Sequence, residues 1–505
     1  MNVNGHNIDT TLPAALRSIA EAAPGKDCLV FTEYGRHITF SQLVGTAERY
    51  AAGLLHMTGG KPFTAIICTD ISPEWYFFFW GILFAGGKAV SLSARCTAEI
   101  LSSAAKEVSA DIIILSADLK ELSESIDSSA AIICDSEDFP GITQETAAGL
   151  PRTRSTSPCV IQFTSGTSAK PKCAVLSHRG ILYVAYNMLR NMNFTSDERY
   201  LMISPVFHIA GILGMLFGLL SGSTSYPIRY FTGKRAVECV IENDITAVTA
   251  VPTMYAEMVR RVKSRNVSIT TLKKGGIAGS SIPDTLIRDI YGYLGLTGIC
   301  TCYGLTEFSP IAVMTMHDDP IEVKMNSAGA PFEGTDIKLV SLVDGKVIDT
   351  LGTEGEIYLR GPGHMLGYLN TDITVGDNDF FATGDVGMLL SDGRLRITGR
   401  AGEMIIKGGE NIAPAEIERV LLMLDGISEC AVVSIPDSEL DEEILAAVSP
   451  STDAPCSESI ITGHLKKYLE PYKLPKYILF CDSLPKNANG KIDKRKIRED
   501  FLSSI

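Results

Sequence analysis

A loop rich in hydroxyl and ammonium groups is the part of this chain best suited to hold an anion. It lies between two apolar runs, Cys159 to Ile161 and Ala174 to Leu176, which are typical of buried strands. Small side chains let the backbone N–H groups approach a phosphate, and the hydroxyl and ammonium groups add donors and charge. The spacing differs from that of the common phosphate loop, and such a turn on its own is more often simply solvated. The loop reads Gln162-Phe163-Thr164-Ser165-Gly166-Thr167-Ser168-Ala169-Lys170-Pro171-Lys172.

Further motifs with reactive or charged side chains follow this loop in order. Taken singly, Glu307 is typical of a surface acid, Asp385 could satisfy backbone donors in a turn, and Lys491 could belong to a solvated basic tail. His208 beside apolar residues is usually a core histidine. The motifs read Pro205-Val206-Phe207-His208, Tyr303-Gly304-Leu305-Thr306-Glu307, Thr383-Gly384-Asp385, Gly399-Arg400 with Lys407-Gly408-Gly409-Glu410-Asn411-Ile412, and Pro485-Lys486-Asn487-Ala488-Asn489-Gly490-Lys491.

Together these motifs resemble those of the adenylate-forming superfamily, which includes acyl- and aryl-CoA ligases, peptide-synthetase adenylation domains and firefly luciferase. The resemblance covers the chain from Thr39 to Lys494, and it is closest to an acid–CoA ligase. It implies an AMP-forming acid–thiol ligase: a carboxylate and Mg-ATP give an acyl-adenylate and pyrophosphate, and the acyl group then passes to a thiol. The implied cofactors and substrates are ATP, Mg²⁺ and coenzyme A.

The resemblance also implies a nucleotide site. The first loop would wrap the β- and γ-phosphates, Tyr303 would lie against adenine, and Asp385 would accept hydrogen bonds from the ribose hydroxyls. Arg400 would add donors near the ribose and phosphate. The predicted nucleotide-binding residues are Thr164, Ser165, Gly166, Thr167, Ser168, Lys172, Gly279, Ser280, Cys302, Tyr303, Gly304, Thr306, Asp385, Arg400 and Lys491.

Three residues are predicted to be catalytic by the same resemblance. Because a weak carboxylate nucleophile attacks a highly charged nucleotide, positioning and charge neutralisation must supply most of the catalysis. Lys491 would bridge the carboxylate and the α-phosphate, Thr306 would hydrogen-bond the α-phosphate, and Glu307 would hold Mg²⁺.

The acid site is expected to be mostly apolar. In peptide-synthetase domains an Asp follows the Phe of the motif that reads Pro205-Val206-Phe207-His208 here. This chain has no carboxylate from His208 to Gly211, so an acid lacking an α-amino group is expected. Aryl and aliphatic acids both remain open. Coenzyme A is the expected acceptor, with Lys407, Gly408 and Gly409 near the pantetheine; loading of a carrier protein and a non-catalytic nucleotide-binding homologue are the alternatives. The acid-pocket residues are His208, Ile209, Gly211, Ile212, Gly279 and Gly304.

The pattern of the chain predicts an α/β fold in which strands and helices alternate. Residues 1–399 are expected to form a large N-terminal ATP- and acid-binding domain of parallel-rich sheets, with a β-rich subdomain at about 327–399. Residues 400–402 would be a hinge centred on Gly402, and residues 403–505 a mobile α+β domain that carries the catalytic lysine. Ser41 is a candidate N-cap of the helix that runs to Leu55.

Composition sets limits on location and partners. The 505 residues carry a net charge of −14, which argues against broad binding of nucleic acid or anionic membranes. The 12 Cys are scattered without zinc spacing, which favours reduced thiols in a cytoplasmic protein. The apolar runs Tyr76 to Phe84 and Phe207 to Leu220 are predicted to be core helices, so no membrane span is expected.

Overall fold

The computed structural model describes most of the chain. The described residues are 1–3, 5–133, 139, 149–164, 172–408, 410–437, 439–451, 455–486 and 492–504. Six residues of the predicted sites lie outside these ranges, and their roles stay predictions. They are Ser165, Gly166, Thr167, Ser168, Gly409 and Lys491.

Strands of the described residues are numbered β1 to β28 in chain order. They are Asn2–Val3, His6–Asn7, Asp27–Phe31, Arg36–Thr39, Thr64–Cys68, Lys88–Leu92, Ile112–Leu115, Ala131–Ile133, Pro158–Phe163, Cys173–Ser177, Arg199–Met202, Thr224–Pro227, Ala247–Ala250, Lys274–Ile277, Gly298–Tyr303, Val313–Met314, Ala330–Pro331, Asp336–Val340, Val347–Ile348, Gly355–Arg360, Gly367–Tyr368, Phe381–Leu389, Leu395–Arg400, Ile405–Lys407, Glu410–Ile412, Ile427–Asp437, Asp441–Pro450 and Tyr477–Phe480.

Helices of the described residues are numbered α1 to α14. They are Leu12–Ala22, Phe40–Thr58, Pro73–Phe84, Ala98–Glu107, Lys120–Ser123, His178–Asn191, Ile209–Leu220, Gly233–Glu242, Pro252–Arg265, Asp284–Leu294, Ile321–Asn326, Pro414–Leu421, Glu458–Leu465 and Lys494–Leu502. Short 3-10 turns lie at Ala117–Leu119, Thr306–Phe308, Ala401–Glu403 and Pro471–Lys473.

Two large sheets carry the predicted sites. Sheet 1 has the order β21-β10-β9-β6-β5-β7-β8, and sheet 2 has the order β17-β16-β15-β14-β13-β11-β12-β3-β4. The central strands of both sheets are parallel, and antiparallel strands lie at their edges. The predicted α/β class is therefore confirmed. Ligands of such sheets bind outside the carboxyl ends of the parallel strands, where Tyr303 and His208 also lie.

Two smaller sheets follow along the chain. The first is an antiparallel sheet of order β19-β18-β20-β22-β23, and it contains both Asp385 and Arg400. The second has the order β25-β24-β27-β26, with β28 parallel to β27, and packs its apolar side against α12 and α13.

Helices α3 and α7 are apolar on every side, and their residues are almost all buried. A helix of this kind belongs in a protein core. In α7, a Cβ at Gly214 would meet the Tyr200 hydroxyl at 2.9 Å, so this glycine lets the helix approach sheet 2 closely. Both apolar runs are thus core helices, as predicted. Among the described residues, no helix combines the length and apolarity that a membrane crossing needs.

The start of α2 corrects one prediction. Ser41 is not the N-cap, because the helix begins at Phe40, two residues earlier than a helix capped by Ser41 would, and Thr39 caps it. The Thr39 hydroxyl accepts from the Gln42 N–H at 3.3 Å, and the Gln42 side chain accepts from the Thr39 N–H at 2.9 Å. This reciprocal capping box satisfies two helix-end donors, which a serine at position 41 could not do.

Candidate active site

Tyr303, Asp385 and Arg400 come together although they are far apart in sequence. Tyr303 ends β15, and Asp385 and Arg400 are direct partners on β22 and β23. The Tyr303 hydroxyl donates to Asp385 Oδ2 at 2.8 Å, and Arg400 Nε donates to Asp385 Oδ1 at 2.7 Å. Both carboxylate oxygens of a residue that is 7% exposed are therefore engaged. Three predicted nucleotide-binding residues thus form one contiguous group.

The environment of this group keeps its donors protonated. Burial and the neighbouring Asp385 carboxylate raise the pKa of Tyr303 well above its usual value. Burial disfavours the Arg400 charge, but Asp385 outweighs it and raises the pKa of Arg400. Thr383 accepts from the Asp385 N–H at 3.1 Å and donates to the Ile357 carbonyl at 2.8 Å, which fixes the turn. Asp385 therefore remains the acceptor of the group.

A second group connects Glu307 with the end of the predicted phosphate loop. Glu307 lies in the turn Thr306–Phe308, and the Tyr368 hydroxyl donates to its Oε1 at 2.6 Å. The Lys172 ammonium lies 4.9 Å from the centre of the Tyr368 ring. Pairing of Ala174 with Tyr368 between β10 and β21 creates this arrangement. Burial and the Glu307 carboxylate raise the pKa of Tyr368, so its hydroxyl stays a donor.

Sequence reasoning missed Tyr368. Its contacts arise from an edge strand that joins sheet 1 from a distant part of the chain, and no local motif around Gly367-Tyr368 predicts that pairing.

The base of the phosphate loop is closed by the backbone. Thr164 is buried, and its N–H donates to the Lys172 carbonyl at 2.8 Å. Two residues before Thr164, on β9, Gln162 Nε2 donates to the Phe207 carbonyl at 2.9 Å. The end of β9 is thereby joined to the segment that carries His208, so the predicted phosphate and acid segments are neighbours.

The predicted acid-pocket residues gather at the carboxyl edge of sheet 2. Gly279 follows β14 with φ +99°, and Cys302 and Gly304 lie at the end of the adjacent β15. His208 is the N-cap of α7, in which Ile209 and Ile212 are buried. Gly211 and Gly304 also have packing reasons to be glycine, because a Cβ there would overlap the Pro205 and Pro310 carbonyls. Ser280 is exposed beside them.

The predicted hinge residue and the residues predicted to lie near the pantetheine follow β23 in the chain. Gly402 is exposed in the turn Ala401–Glu403, with open space where a Cβ would point. Lys407 is largely buried and forms an ion pair with Glu443 at 2.9 Å. Lys494 forms ion pairs with Glu403 at 2.7 Å and Glu418 at 2.9 Å. Burial opposes its charge, but the two carboxylates raise the pKa of Lys494.

Comparison with known protein families shows the family to which the chain belongs. The model of the AMP-binding enzyme family matches residues 16–369, and that of the AMP-binding enzyme C-terminal domain matches residues 416–491. The chain belongs to the AMP-binding enzyme family. The predicted adenylate-forming resemblance is therefore confirmed.

Curated relatives of this AMP-binding enzyme carry ligase names. The mitochondrial medium-chain acyl-CoA ligase of Mus musculus is 28% identical, over 99% of this chain and 89% of its own. A methyl-dioxo-octahydroindenyl-propanoyl:CoA ligase of Rhodococcus jostii is also 28% identical, over 97% of this chain and 99% of its own. The AMP-binding enzyme described here is an AMP-forming acid–CoA ligase, as the sequence predicted.

A solved structure shares the fold. ATP-bound MatB from Rhodopseudomonas palustris has a TM-score of 0.88 at 23% identity, covering 98% of this chain and 99% of its own. The architecture of a large N-terminal part with mixed sheets and a small C-terminal part is thus that of the adenylate-forming enzymes.

Proposed function

We propose that this ligase activates an uncharged-tail carboxylic acid without an α-amino group and transfers it to coenzyme A. The observation that carries the proposal is the Tyr303–Asp385–Arg400 group beside the Glu307–Tyr368–Lys172 group. The first group offers the Asp385 carboxylate as an acceptor for the ribose hydroxyls and the Arg400 guanidinium as a cation for phosphate. The second group offers the Glu307 carboxylate to a metal ion and the Lys172 ammonium to the polyphosphate. Both lie near the strand edge that carries the acid-pocket residues.

In the first half-reaction, the carboxylate oxygen attacks the α-phosphorus and the bond to pyrophosphate breaks. Asp385 holds the ribose hydroxyls, Arg400 and Lys172 offset phosphate charge, and Thr306 donates to the α-phosphate. Lys491, whose role is taken from the resemblance alone, would bridge the two anions where negative charge builds in the transition state. In the second half-reaction, the thiol sulfur attacks the acyl carbon and AMP leaves.

Glu307 is the residue proposed to hold Mg²⁺. It supplies a hard carboxylate oxygen, and Mg²⁺ in nucleotide sites takes one or two carboxylates, with water and phosphate oxygens completing its shell. When bound, the ion would offset charge on the departing pyrophosphate. Tyr368 orients the carboxylate by donating to Oε1 at 2.6 Å.

Tyr368→Phe tests this assignment. Removal of the hydroxyl frees the Glu307 carboxylate to rotate, so the Mg²⁺ concentration for half-maximal adenylate formation is expected to rise roughly 10-fold. Acid-dependent ATP–pyrophosphate exchange, titrated with MgCl₂ at fixed free ATP, measures it. Tyr358→Phe, on β20, is the control and should leave the titration unchanged. An unaltered Mg²⁺ dependence in Tyr368→Phe would contradict the role of this hydroxyl.

The acid and the acceptor are tested together. Pyrophosphate release is measured over a panel of aryl and aliphatic acids, with amino acids as the contrasting set. Coenzyme A or a carrier protein is then offered with the best acid. Turnover with non-amino acids and coenzyme A supports the proposal. Preference for a carrier protein favours the loading enzyme, and the absence of acid-dependent exchange across the panel favours a non-catalytic nucleotide-binding homologue.

The hinge role of Gly402 is proposed from its exposed, uncrowded position. Proline at this position fixes φ near −65° and removes an N–H. Gly402→Pro is therefore expected to slow thioester formation several-fold more than adenylate formation. The reason is that the second half-reaction is proposed to need a rotation of residues 403–505 about this glycine. Gly402→Ala, which keeps the N–H and leaves φ free to rotate within the negative range, is the control. Equal losses in both half-reactions of the proline variant would count against a hinge here.

A further inference from the structure

Two thiols meet at the carboxyl edge of sheet 1. Cys68 ends β5, and Cys96 lies in the turn that follows the adjacent strand β6. Their sulfur atoms are 3.3 Å apart. The turn is fixed by the Ser93 carbonyl, which accepts from the Cys96 N–H at 3.0 Å and from Cys68 Sγ at 3.4 Å. The backbone therefore holds the two sulfurs in contact.

The two thiols differ in access and in acidity. Cys68 is fully buried, whereas Cys96 is partly exposed. The hydrogen bond with Cys68 lowers the pKa of Cys96, and the same contact together with burial raises the pKa of Cys68. An exposed thiol of lowered pKa beside a second thiol is the usual arrangement of an attacking and a resolving cysteine. Within the described ranges, no other two cysteine sulfurs lie in hydrogen-bonding contact.

We propose that Cys68 and Cys96 form a reversible intramolecular disulfide. A small disulfide such as oxidised glutathione is the oxidant. The Cys96 thiolate attacks one of its sulfurs and releases a glutathione thiolate, which leaves a mixed disulfide on Cys96. The Cys68 sulfur then attacks Cys96 Sγ, its proton passes to the departing second glutathione, and the two cysteines are oxidised as one glutathione disulfide is reduced to two thiols.

The disulfide would fasten the edge at which the two large sheets meet. Asp70 follows β5 of sheet 1 and forms an ion pair with Arg229, which follows β12 of sheet 2, at 3.0 Å. Tyr230 donates to the same carboxylate, and the Arg95 guanidinium lies 5.5 Å from the centre of the Tyr230 ring. Since Arg95 precedes Cys96, bonding the sulfurs at about 2.05 Å draws this turn toward β5 and holds the contact in place.

The test uses the full chain, first reduced with dithiothreitol and freed of it, then treated with oxidised glutathione. The intact mass is expected to fall by two hydrogens. A tryptic digest without reductant should contain the Cys68 peptide joined to the peptide that begins at Cys96. Thermal unfolding should shift upward by a few degrees on oxidation and return on reduction.

Two variants make the outcome decisive. Cys96→Ser should lose the cross-link and the thermal shift, whereas Cys481→Ser, which removes another partly exposed thiol, should keep both. A wild-type protein that gains only glutathione adducts, or that cross-links other cysteines, would overturn the proposal. A disulfide that forms but lowers the unfolding temperature would overturn the fastening role. These readouts do not depend on ligase activity, so they stand apart from the proposed function.

Discussion

Replacing Lys491 by Ala is expected to reduce acid-dependent ATP–pyrophosphate exchange by at least about 100-fold, the effect seen when one preorganised charge-stabilising donor is removed. The ammonium is assigned to the first half-reaction alone, where two anions must approach each other. The variant should therefore still convert supplied acyl-adenylate and coenzyme A to thioester. Single-turnover assays of the two half-reactions, run on the same preparation, measure the split.

Lys486→Ala is the matched control for that experiment. Lys486 belongs to the same motif, Pro485 to Lys491, forms an ion pair with Glu429 at 2.6 Å and has no proposed substrate contact. It should leave both half-reactions near the wild-type rate. If Lys491→Ala formed adenylate as fast as Lys486→Ala, the catalytic assignment of Lys491 would be wrong.

Asp385→Asn is expected to raise the KM for ATP by roughly 10- to 150-fold, since hydrogen bonds to a charged acceptor are worth about 1.5–3 kcal/mol. The amide cannot accept through both atoms, so the ribose hydroxyls, Tyr303 and Arg400 would compete for one oxygen. Arg400 would also lose the carboxylate that it contacts at 2.7 Å. Initial rates of pyrophosphate release over a range of ATP concentrations measure the change.

Asp392→Asn separates this effect from a general loss of charge. Asp392 lies in the turn between β22 and β23 and forms an ion pair with Arg394 at 2.6 Å on the surface. Its replacement should leave the KM for ATP unchanged. A similar KM in the two variants would remove the ribose-binding role from Asp385, whereas a loss of folding in Asp385→Asn alone would appear in its thermal unfolding.

Much of this site could be predicted because the chemistry is concentrated in short motifs. Asp385 and Arg400 are each recognisable in a turn, and strand pairing brings them together. Tyr368 could not be predicted, because its contact with Glu307 depends on an edge strand joining β10 across the sheet. The buried pairing of Lys407 with Glu443 was equally invisible, since it joins two strands far apart in the chain. The capping of α2 by Thr39 depended on Gln42, three residues further on.

The ion pairs of Lys494 have a mechanical consequence. This lysine is the first residue of α14 and forms ion pairs with two carboxylates. One is Glu403, the residue directly after Gly402, and the other is Glu418 on α12. Through Lys494, Glu403 is thereby connected to α14 and α12, which follow it in the chain, rather than to β23, which precedes it. If residues 403–505 rotate about the proposed hinge, we therefore expect the torsion changes in the backbone bonds just before Glu403.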